Sequence, residues 1–148
     1  MDTEKLSAGI CPVGRGLARA GDAWSMLILR DAGLGLTRFD EFQRSLGIAP
    51  NILTRRLATL VDAGMLERRR YNDRPPRHEY VLTAAGRDYL PILQALGGWA
   101  RKHFGEGAVS DLIEAGSGRT ITPMVVDAET GTPLSDIAVA VRQPGDLA

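Results

Sequence analysis

A chain of 148 residues is long enough for one ordinary domain with a hydrophobic core and a small appendage. Its 44% hydrophobic and 24% charged residues are typical of a globular protein and exclude a disordered or fibrous one. No apolar run approaches the roughly 20 residues that span a bilayer, and the acidic N-terminus does not resemble an export signal. The single cysteine excludes an internal disulfide framework. We therefore expect a cytoplasmic protein with no membrane contact.

The net charge of zero conceals an uneven distribution of charge. Residues 1–105 contain 16 lysines and arginines against 11 acidic residues, whereas residues 106–148 contain 2 against 7. The composition also changes after Gly105, where the helical patterns end. We therefore expect three regions: an N-terminal arm over residues 1–10, a basic domain over residues 11–105, and an acidic extension over the remainder.

The first predicted helix begins at Pro12, because proline suits the first helical turn, where its missing N–H costs nothing. Asp22 is expected to cap a second helix (AWSMLILRDAG), and the almost entirely apolar surface of this helix predicts a buried position. A third helix is expected to begin at Thr37, with Asp40 completing a near capping box.

The fourth predicted helix begins at Pro50 and has two different faces. Its apolar face, at spacing i, i+4, i+7 and i+8, consists of Leu53, Leu57, Leu60 and Val61. The opposite face carries Asn51, Thr54 and Arg55. Because a glycine-containing turn separates this helix from the preceding short one, the pair predicts a helix-turn-helix motif.

A β-hairpin is predicted directly after this motif. The segments MLERRRYN and RHEYVLT have the composition of strands, and DRPPR joins them. Pro75 and Pro76 cannot donate ladder hydrogen bonds, so they belong at the hairpin tip or at an edge. Residues 67–80 contain five arginines, which makes the hairpin strongly basic.

Thr83 is expected to cap a last helix that runs toward Phe104 and is divided at Pro91. Its apolar stripe consists of Ile92, Leu93, Leu96, Trp99 and Ala100. The order of helix, helix, helix-turn-helix, hairpin and helix predicts a winged helix-turn-helix, which is a mainly α fold with a β-wing (α+β). In the extension, TITPMVV and LSDIAVAV on either side of DAETGTP predict a second, C-terminal β-hairpin.

The arginines point to double-stranded DNA as the partner. Between Arg38 and Arg77 there are nine arginines, five acidic residues and no lysine. Arginine suits bidentate contact with phosphate or guanine, and an α-helix fits the major groove. The residues expected to contact DNA are Arg38, Asn51, Thr54, Arg55, Arg74 and Arg77. The alternative is a solvated hairpin whose arginines only keep the protein soluble.

Within this set, the three residues of the fourth helix are expected to read or position the major groove. The wing arginines are expected to hold phosphates or a minor groove, and Arg38 to hold the DNA backbone. Single strands are disfavoured, because Trp24, Phe39, Phe42 and Trp99 lie on predicted packing stripes and few aromatic residues remain for base stacking.

Enzyme activity is not expected. His78 and His103 lie far apart in the sequence, without cysteine or acidic residues at metal-ligand spacing. The sequence has no phosphate-binding glycine loop and no nucleophile elbow. We therefore predict no catalytic residues, no metal and no cofactor.

Three segments together resemble the HxlR family of bacterial transcriptional regulators, which are relatives of the MarR-type winged helices. They are CPVGRGLARAGDAWSMLILRD, TRFDEFQRSLGIAPNILTRRLATLVDAGMLERR and PPRHEYVLTAAGRDYLPILQAL. The resemblance covers residues 11 to about 104. It implies a sequence-specific regulator, expected to be a repressor, that binds an inverted-repeat operator as a homodimer through residues 11–105.

The same resemblance implies that the first and last helices of the domain form the dimer interface. The residues placed there are Val13, Leu17, Ile92, Leu93, Leu96 and Trp99. Two positions depart from the family pattern: Ala49 replaces a serine before Pro-Asn, and Asp22-Ala23-Trp24 replaces Gly-Lys-Trp. Ala49 and the acidic extension favour the alternative function, a protein-interaction module with a winged-helix fold and no DNA binding.

Cys11 is a candidate redox sensor, because the start of a helix and the nearby Arg15 both favour the thiolate. Similar regulators carry a cysteine just before this proline, and some of them sense oxidants or electrophiles. The alternative is a packed, inert thiol. A small-molecule effector is a further expected partner. Some relatives append a zinc-ribbon-like module, but residues 106–148 contain no cysteine, so we expect no zinc there.

Overall fold

The computed structural model describes residues 2–146. They fold into two compact units, the first ending at Leu90 and the second beginning at Pro91. The elements in chain order are α1 (Thr3–Ala8), α2 (Pro12–Ala20), α3 (Ala23–Gly33), α4 (Phe39–Leu46), α5 (Pro50–Asp62), β1 (Leu66–Asp73), β2 (Pro76–Leu82), α6 (Ala84–Phe104) and a short 3₁₀-helix (Leu134–Asp136). This mostly helical fold with a two-stranded antiparallel sheet of β1 and β2 confirms the winged helix-turn-helix that the sequence predicts.

The N-terminal arm contains a helix that the sequence did not predict. Asp2 precedes α1, and its carboxylate accepts hydrogen bonds from the backbone N–H groups of Glu4 and Lys5 at 3.1 and 3.3 Å. Two N–H groups that the helix leaves unpaired are thereby satisfied. The signal for this helix was the aspartate before a short run without proline or glycine.

The predicted boundaries of α2 and α3 are confirmed. Pro12 begins α2, and the Asp22 carboxylate accepts a hydrogen bond from the Ser25 N–H at 3.0 Å at the start of α3. Ile28 and Leu29 are fully buried, as the apolar surface of α3 predicts. Gly33 in the last turn of α3 packs directly against Leu90.

The core of the first unit lies beneath the helix-turn-helix formed by α4 and α5. Phe42 of α4 and Leu53, Leu57 and Leu60 of α5 are fully buried, at the spacing that the sequence predicts. Gly47 joins the two helices with a φ of 61°, a left-handed conformation that glycine adopts without steric cost.

The capping box predicted at Thr37 and Asp40 is wrong. Arg38 is the residue that precedes α4, and the Glu41 carboxylate accepts hydrogen bonds from the N–H groups of both Thr37 and Arg38, each at 2.9 Å. The capping box therefore forms between Arg38 and Glu41 at the same three-residue spacing, and α4 begins at Phe39, two residues after Thr37.

The predicted wing is present as the hairpin of β1 and β2. Its antiparallel register pairs Leu66 with Leu82 and Arg69 with Glu79. Thr83 follows β2 and caps α6, because its hydroxyl accepts a hydrogen bond from the Gly86 N–H at 3.1 Å and donates one to the Gly64 carbonyl at 2.6 Å. One side chain therefore fixes both the start of α6 and the chain between α5 and β1.

The last helix is not divided at Pro91. The segment α6 is continuous from Ala84 to Phe104 with the proline inside it. Proline cannot donate a hydrogen bond to the carbonyl four residues earlier, but its fixed φ is compatible with a helix. The two compact units nevertheless meet in sequence at this residue.

The extension contains far less regular structure than the predicted second hairpin. Only one antiparallel bridge, between Val126 and Pro133, closes the predicted turn, and a second bridge joins Ile113 to Thr120. The 3₁₀-helix at Leu134–Asp136 follows Pro133 directly, so the chain leaves the ladder after this bridge and no strand forms there. The turn itself is ordered by the Asp127 carboxylate, whose pKa is lowered by a hydrogen bond from the Thr130 hydroxyl.

Within residues 2–146, no helix has the length and apolar character needed to cross a membrane.

Candidate nucleic-acid interface

The outer face of α5 carries the three residues predicted to enter the major groove. Asn51, Thr54 and Arg55 are all exposed, on the side of the helix opposite the buried leucines. The Thr54 hydroxyl donates a hydrogen bond to the Pro50 carbonyl at 2.9 Å, which orders its side chain in the first turn. Ala49 precedes the helix without a side-chain cap, as the sequence implies.

The four arginines predicted to contact DNA share one property. Within residues 2–146, none of the guanidinium groups of Arg38, Arg55, Arg74 and Arg77 forms an ion pair or donates a hydrogen bond. Other arginines of this region are neutralised: Arg44 pairs with Asp40, Arg56 with Asp22, Arg69 with Glu79 and Arg70 with Asp73. The predicted contact residues therefore keep their positive charge unpaired.

Arg74 and Arg77 lie at the tip of the wing. Arg74 belongs to the two-residue connection between the strands, and Arg77 pairs in register with Asn72. Both side chains are exposed. A charged, exposed hairpin tip of this kind is suited to contact with a phosphate backbone.

Arg38 is brought to the wing by contacts that the sequence did not predict. The backbone N–H of Tyr80 in β2 donates a hydrogen bond to the Thr37 carbonyl at 2.7 Å, which fixes the start of α4 beside the sheet. The Arg38 guanidinium lies over the ring of Tyr71 in β1, 4.5 Å from the ring centre. The structure thus places Arg38 against the hairpin and not only at the neighbouring helix.

Glu41 occupies the N-terminus of α4. Its pKa is lowered, mainly because the carboxylate accepts the Thr37 N–H and next because it accepts the Arg38 N–H. An ionised carboxylate at this position uses the backbone donors that a phosphate could otherwise bind. At this end of the motif, the Arg38 side chain is therefore the group left to meet an anion.

His78 lies in β2 of the wing, beside Arg68 of β1. Its Nδ1 lies 3.2 Å from the Arg68 guanidinium, and because arginine only donates, this nitrogen accepts. Partial burial lowers the pKa of His78, and Arg68 and Arg70 lower it further. The histidine is therefore neutral near pH 7, and the charge of the wing comes from its arginines.

The six residues predicted at a dimer interface lie in two helices, α2 of the first unit and the part of α6 in the second unit. In α2, Val13 and Leu17 are 70% and 48% exposed. In α6, Ile92, Leu96 and Trp99 are between 46% and 58% exposed, and Leu93 is half-buried. Trp99 also packs edge-on against Phe104, with 5.2 Å between ring centres. The sequence placed Trp99 on a packing stripe, but within the described chain half of it has no packing partner.

Cys11 is exposed at the start of α2. The nearby Arg15 donates a hydrogen bond from Nε to the Gly9 carbonyl at 2.6 Å, so its guanidinium is committed to the turn before the cysteine.

A model of the HxlR-like helix-turn-helix family matches residues 20–108, which include α3 to α6 and the whole wing. The chain belongs to the HxlR-like helix-turn-helix family. Curated relatives that match this region are described as HTH-type transcriptional regulators. The winged helix-turn-helix and the family resemblance expected from the sequence are thereby confirmed.

Relatives in this family include an uncharacterized HTH-type transcriptional regulator of Mycobacterium bovis, 43% identical over 91 residues. That alignment covers 62% of this chain and 58% of the mycobacterial protein. A regulator of Methanothermobacter thermautotrophicus is 36% identical over 95 residues.

Two solved structures resemble nearly the whole chain. PA1607, described as a candidate transcription factor, is 40% identical with a TM-score of 0.82, and the match covers 92% of this chain and 98% of PA1607. PA1374 of Pseudomonas aeruginosa is 47% identical with a TM-score of 0.65, covering 91% and 94%. Because 92% of 148 residues is about 136, the match to PA1607 continues into the extension after residue 105.

A third structure, the redox regulator HypR in its reduced form, is 32% identical with a TM-score of 0.59. The match covers 62% of this chain and 92% of HypR, so it corresponds in length to the winged helix alone.

Proposed function

We propose that this HxlR-like regulator binds an inverted-repeat operator as a homodimer and represses transcription there. The observation that carries the proposal is the set of unpaired arginines on the helix-turn-helix and the wing. An exposed guanidinium without an internal carboxylate has its full charge and all its donors available for phosphate or guanine. Salt bridges neutralise other arginines nearby, which leaves Arg38, Arg55, Arg74 and Arg77 for the nucleic acid.

In this proposal, α5 enters the major groove and presents Asn51, Thr54 and Arg55 to base edges and phosphates. The wing tip contacts the backbone or the minor groove beside it through Arg74 and Arg77. A helix in the groove with a basic ribbon beside it is the arrangement expected of a winged helix-turn-helix.

Replacing Arg74 and Arg77 together with glutamine is expected to flatten the salt dependence of DNA binding. Each phosphate contact contributes about 0.9 to the slope of log affinity against log salt, so the slope should fall by about one to two. The measurement is a titration of a fluorescent duplex, enriched from a random-sequence pool by the wild-type protein, at several salt concentrations. The matched control is Arg44→Gln, which removes an arginine that Asp40 already neutralises. An unchanged slope in the double variant would exclude the wing from DNA contact.

Dimerisation is proposed from the apolar side chains that the described chain leaves exposed. Large apolar side chains are exposed on both helices: Val13 and Leu17 in α2, and Ile92, Leu96 and Trp99 in α6. Exposed apolar patches mark interaction sites in proteins. Covering them in a second copy would remove this surface from water, and a dimer matches the two-fold symmetry of an inverted repeat.

A response to an oxidant or to an apolar small molecule is the remaining part of the proposal. The redox regulator HypR is a structural relative, and Cys11 here is exposed at a helix start. The second unit contains an open cavity of about 740 Å³, lined by aliphatic side chains of α6 and the extension with Gln94 as the polar exception. Repeating the DNA titration with a thiol oxidant, with Cys11→Ser as the control, tests the response to an oxidant. Repeating it with apolar compounds tests the response to a small molecule. If the affinity for DNA is unchanged in both experiments, this part of the proposal is wrong.

A further inference from the structure

Tyr71 occupies an irregular position in the wing. The register of the hairpin shifts between Arg70, which pairs with His78, and Asn72, which pairs with Arg77. Tyr71 therefore has no partner across the sheet and sits at a β-bulge. A bulge redirects the side chain of its extra residue and is typical of functional positions. Here it coincides with the placement of the tyrosine ring under the Arg38 guanidinium, 4.5 Å from the ring centre.

The ring holds Arg38 in a way that a carboxylate could not. A carboxylate would accept the N–H donors of the guanidinium and neutralise its charge. A ring face attracts the cation through its quadrupole and leaves the donors, which point outward in the guanidinium plane, unused. Within residues 2–146, the Arg38 guanidinium has no ion pair and donates no hydrogen bond. The ring thus contacts the guanidinium without neutralising it.

The two residues belong to different elements of the DNA-binding motif. Arg38 directly precedes α4, the first helix of the helix-turn-helix, and Tyr71 lies in β1 of the wing. The hydrogen bond from the Tyr80 N–H to the Thr37 carbonyl holds the two elements beside each other. Because Glu41 occupies the backbone donors at the start of α4, an anion arriving there meets the Arg38 side chain.

We propose that Tyr71 is a positioning residue that holds the Arg38 guanidinium ready for a DNA phosphate and so couples the wing to the helix-turn-helix. This inference rests on the proposed function, since it assumes that the surface binds DNA. Preorganising a long arginine side chain removes part of the entropy that it would otherwise lose on binding.

The test is a double-mutant cycle on the duplex described above, with Tyr71→Leu, Tyr71→Phe and Arg38→Gln. Tyr71→Leu removes the ring and should weaken binding about 3- to 10-fold. Tyr71→Phe keeps the ring face and should stay within about twofold of the wild type. Arg38→Gln should weaken binding about 10-fold and lower the salt slope by about one. In the Arg38→Gln background, Tyr71→Leu should change the affinity by less than about twofold, because the ring acts through the arginine.

A merely structural role for Tyr71 gives a different pattern. If Tyr71→Leu weakens the Arg38→Gln variant as much as it weakens the wild type, the ring does not act through Arg38 and the inference is overturned. It is also overturned if Tyr71→Phe is as weak as Tyr71→Leu, because the hydroxyl would then be the active group. Should Tyr71→Leu fail to fold, Tyr71→Val is substituted, since a β-branched residue suits an exposed strand.

An Arg55→Gln variant in the same titration separates this inference from the function on which it rests. If the wild type binds, Arg55→Gln binds about 10- to 100-fold more weakly, and Tyr71→Leu binds as tightly as the wild type, the positioning role is wrong and DNA binding stands. If the wild type itself binds no duplex from the pool, both are wrong.

Discussion

Replacing Arg55 with glutamine is expected to lower the affinity for the enriched duplex about 10- to 100-fold, because a bidentate arginine contact to a base edge contributes about 1–3 kcal/mol. Arg55 lies on the exposed face of α5, one helical turn after Asn51, and no carboxylate within residues 2–146 pairs with it. Its loss should also relax the choice of base at one position of each half-site. The measurement is the equilibrium dissociation constant for the duplex and for variants changed one base pair at a time.

The matched control is Arg142→Gln. Arg142 is an exposed arginine of the extension, so its replacement alters net charge by the same amount without touching the helix-turn-helix. A comparable loss of affinity in both variants would mean that the charge of the protein matters and the position does not. Equal thermal unfolding of all three proteins excludes a folding defect, since an exposed helical glutamine costs little.

Replacing Leu96 with glutamate is expected to weaken the dimer about 100-fold or more. Leu96 is 46% exposed within one chain, and in the proposed interface its side chain would be covered by the second copy. A carboxylate buried there without a partner costs about 3–5 kcal/mol, and two-fold symmetry places one such group on each copy. Sedimentation equilibrium over a range of protein concentrations measures the change.

Ala85→Glu is the control for this experiment. It adds the same carboxylate to the exposed first turn of the same helix, where a negative charge is favourable. If neither Leu96→Glu nor Ala85→Glu changes the mass of the assembly, α6 does not form the interface. If Leu96→Glu loses operator affinity together with the dimer, DNA binding depends on dimerisation, as the proposed function requires.

The sequence was sufficient for features that depend on neighbouring residues. Leu53, Leu57 and Leu60 are fully buried because a helical repeat places them on one face, and a repeat of this kind is visible in the letters alone. Pro12 and Asp22 begin helices because their conformational limits and hydrogen-bonding capacity act within three residues. The hairpin was predictable for the same reason, from two strand-like runs on either side of a double proline.

The errors arose where two local signals competed. Asp40 lies three residues after Thr37 and Glu41 lies three residues after Arg38, and only the backbone geometry at Arg38 decides that the box forms with Glu41. In the extension, strand-forming residues predicted a hairpin, but the chain turns into a 3₁₀-helix at Leu134–Asp136, and pairing is limited to single bridges. Each outcome depends on which hydrogen bond forms, and residue type alone does not determine that.

The sequence by itself determined the order of helices and wing, because short-range periodicity and turn residues carry that information, and the resemblance of its segments indicated the family. Which arginines lack an ion pair within residues 2–146 was decided by the tertiary structure. The tertiary structure decided that Arg38 lies against Tyr71, since residues 33 positions apart meet only through the register of β1 and β2 and the Thr37–Tyr80 hydrogen bond. It also decided which apolar side chains of α2 and α6 stay exposed. Such contacts depend on the packing of distant segments, and a helical or strand repeat carries no information about which distant segment will pack against it.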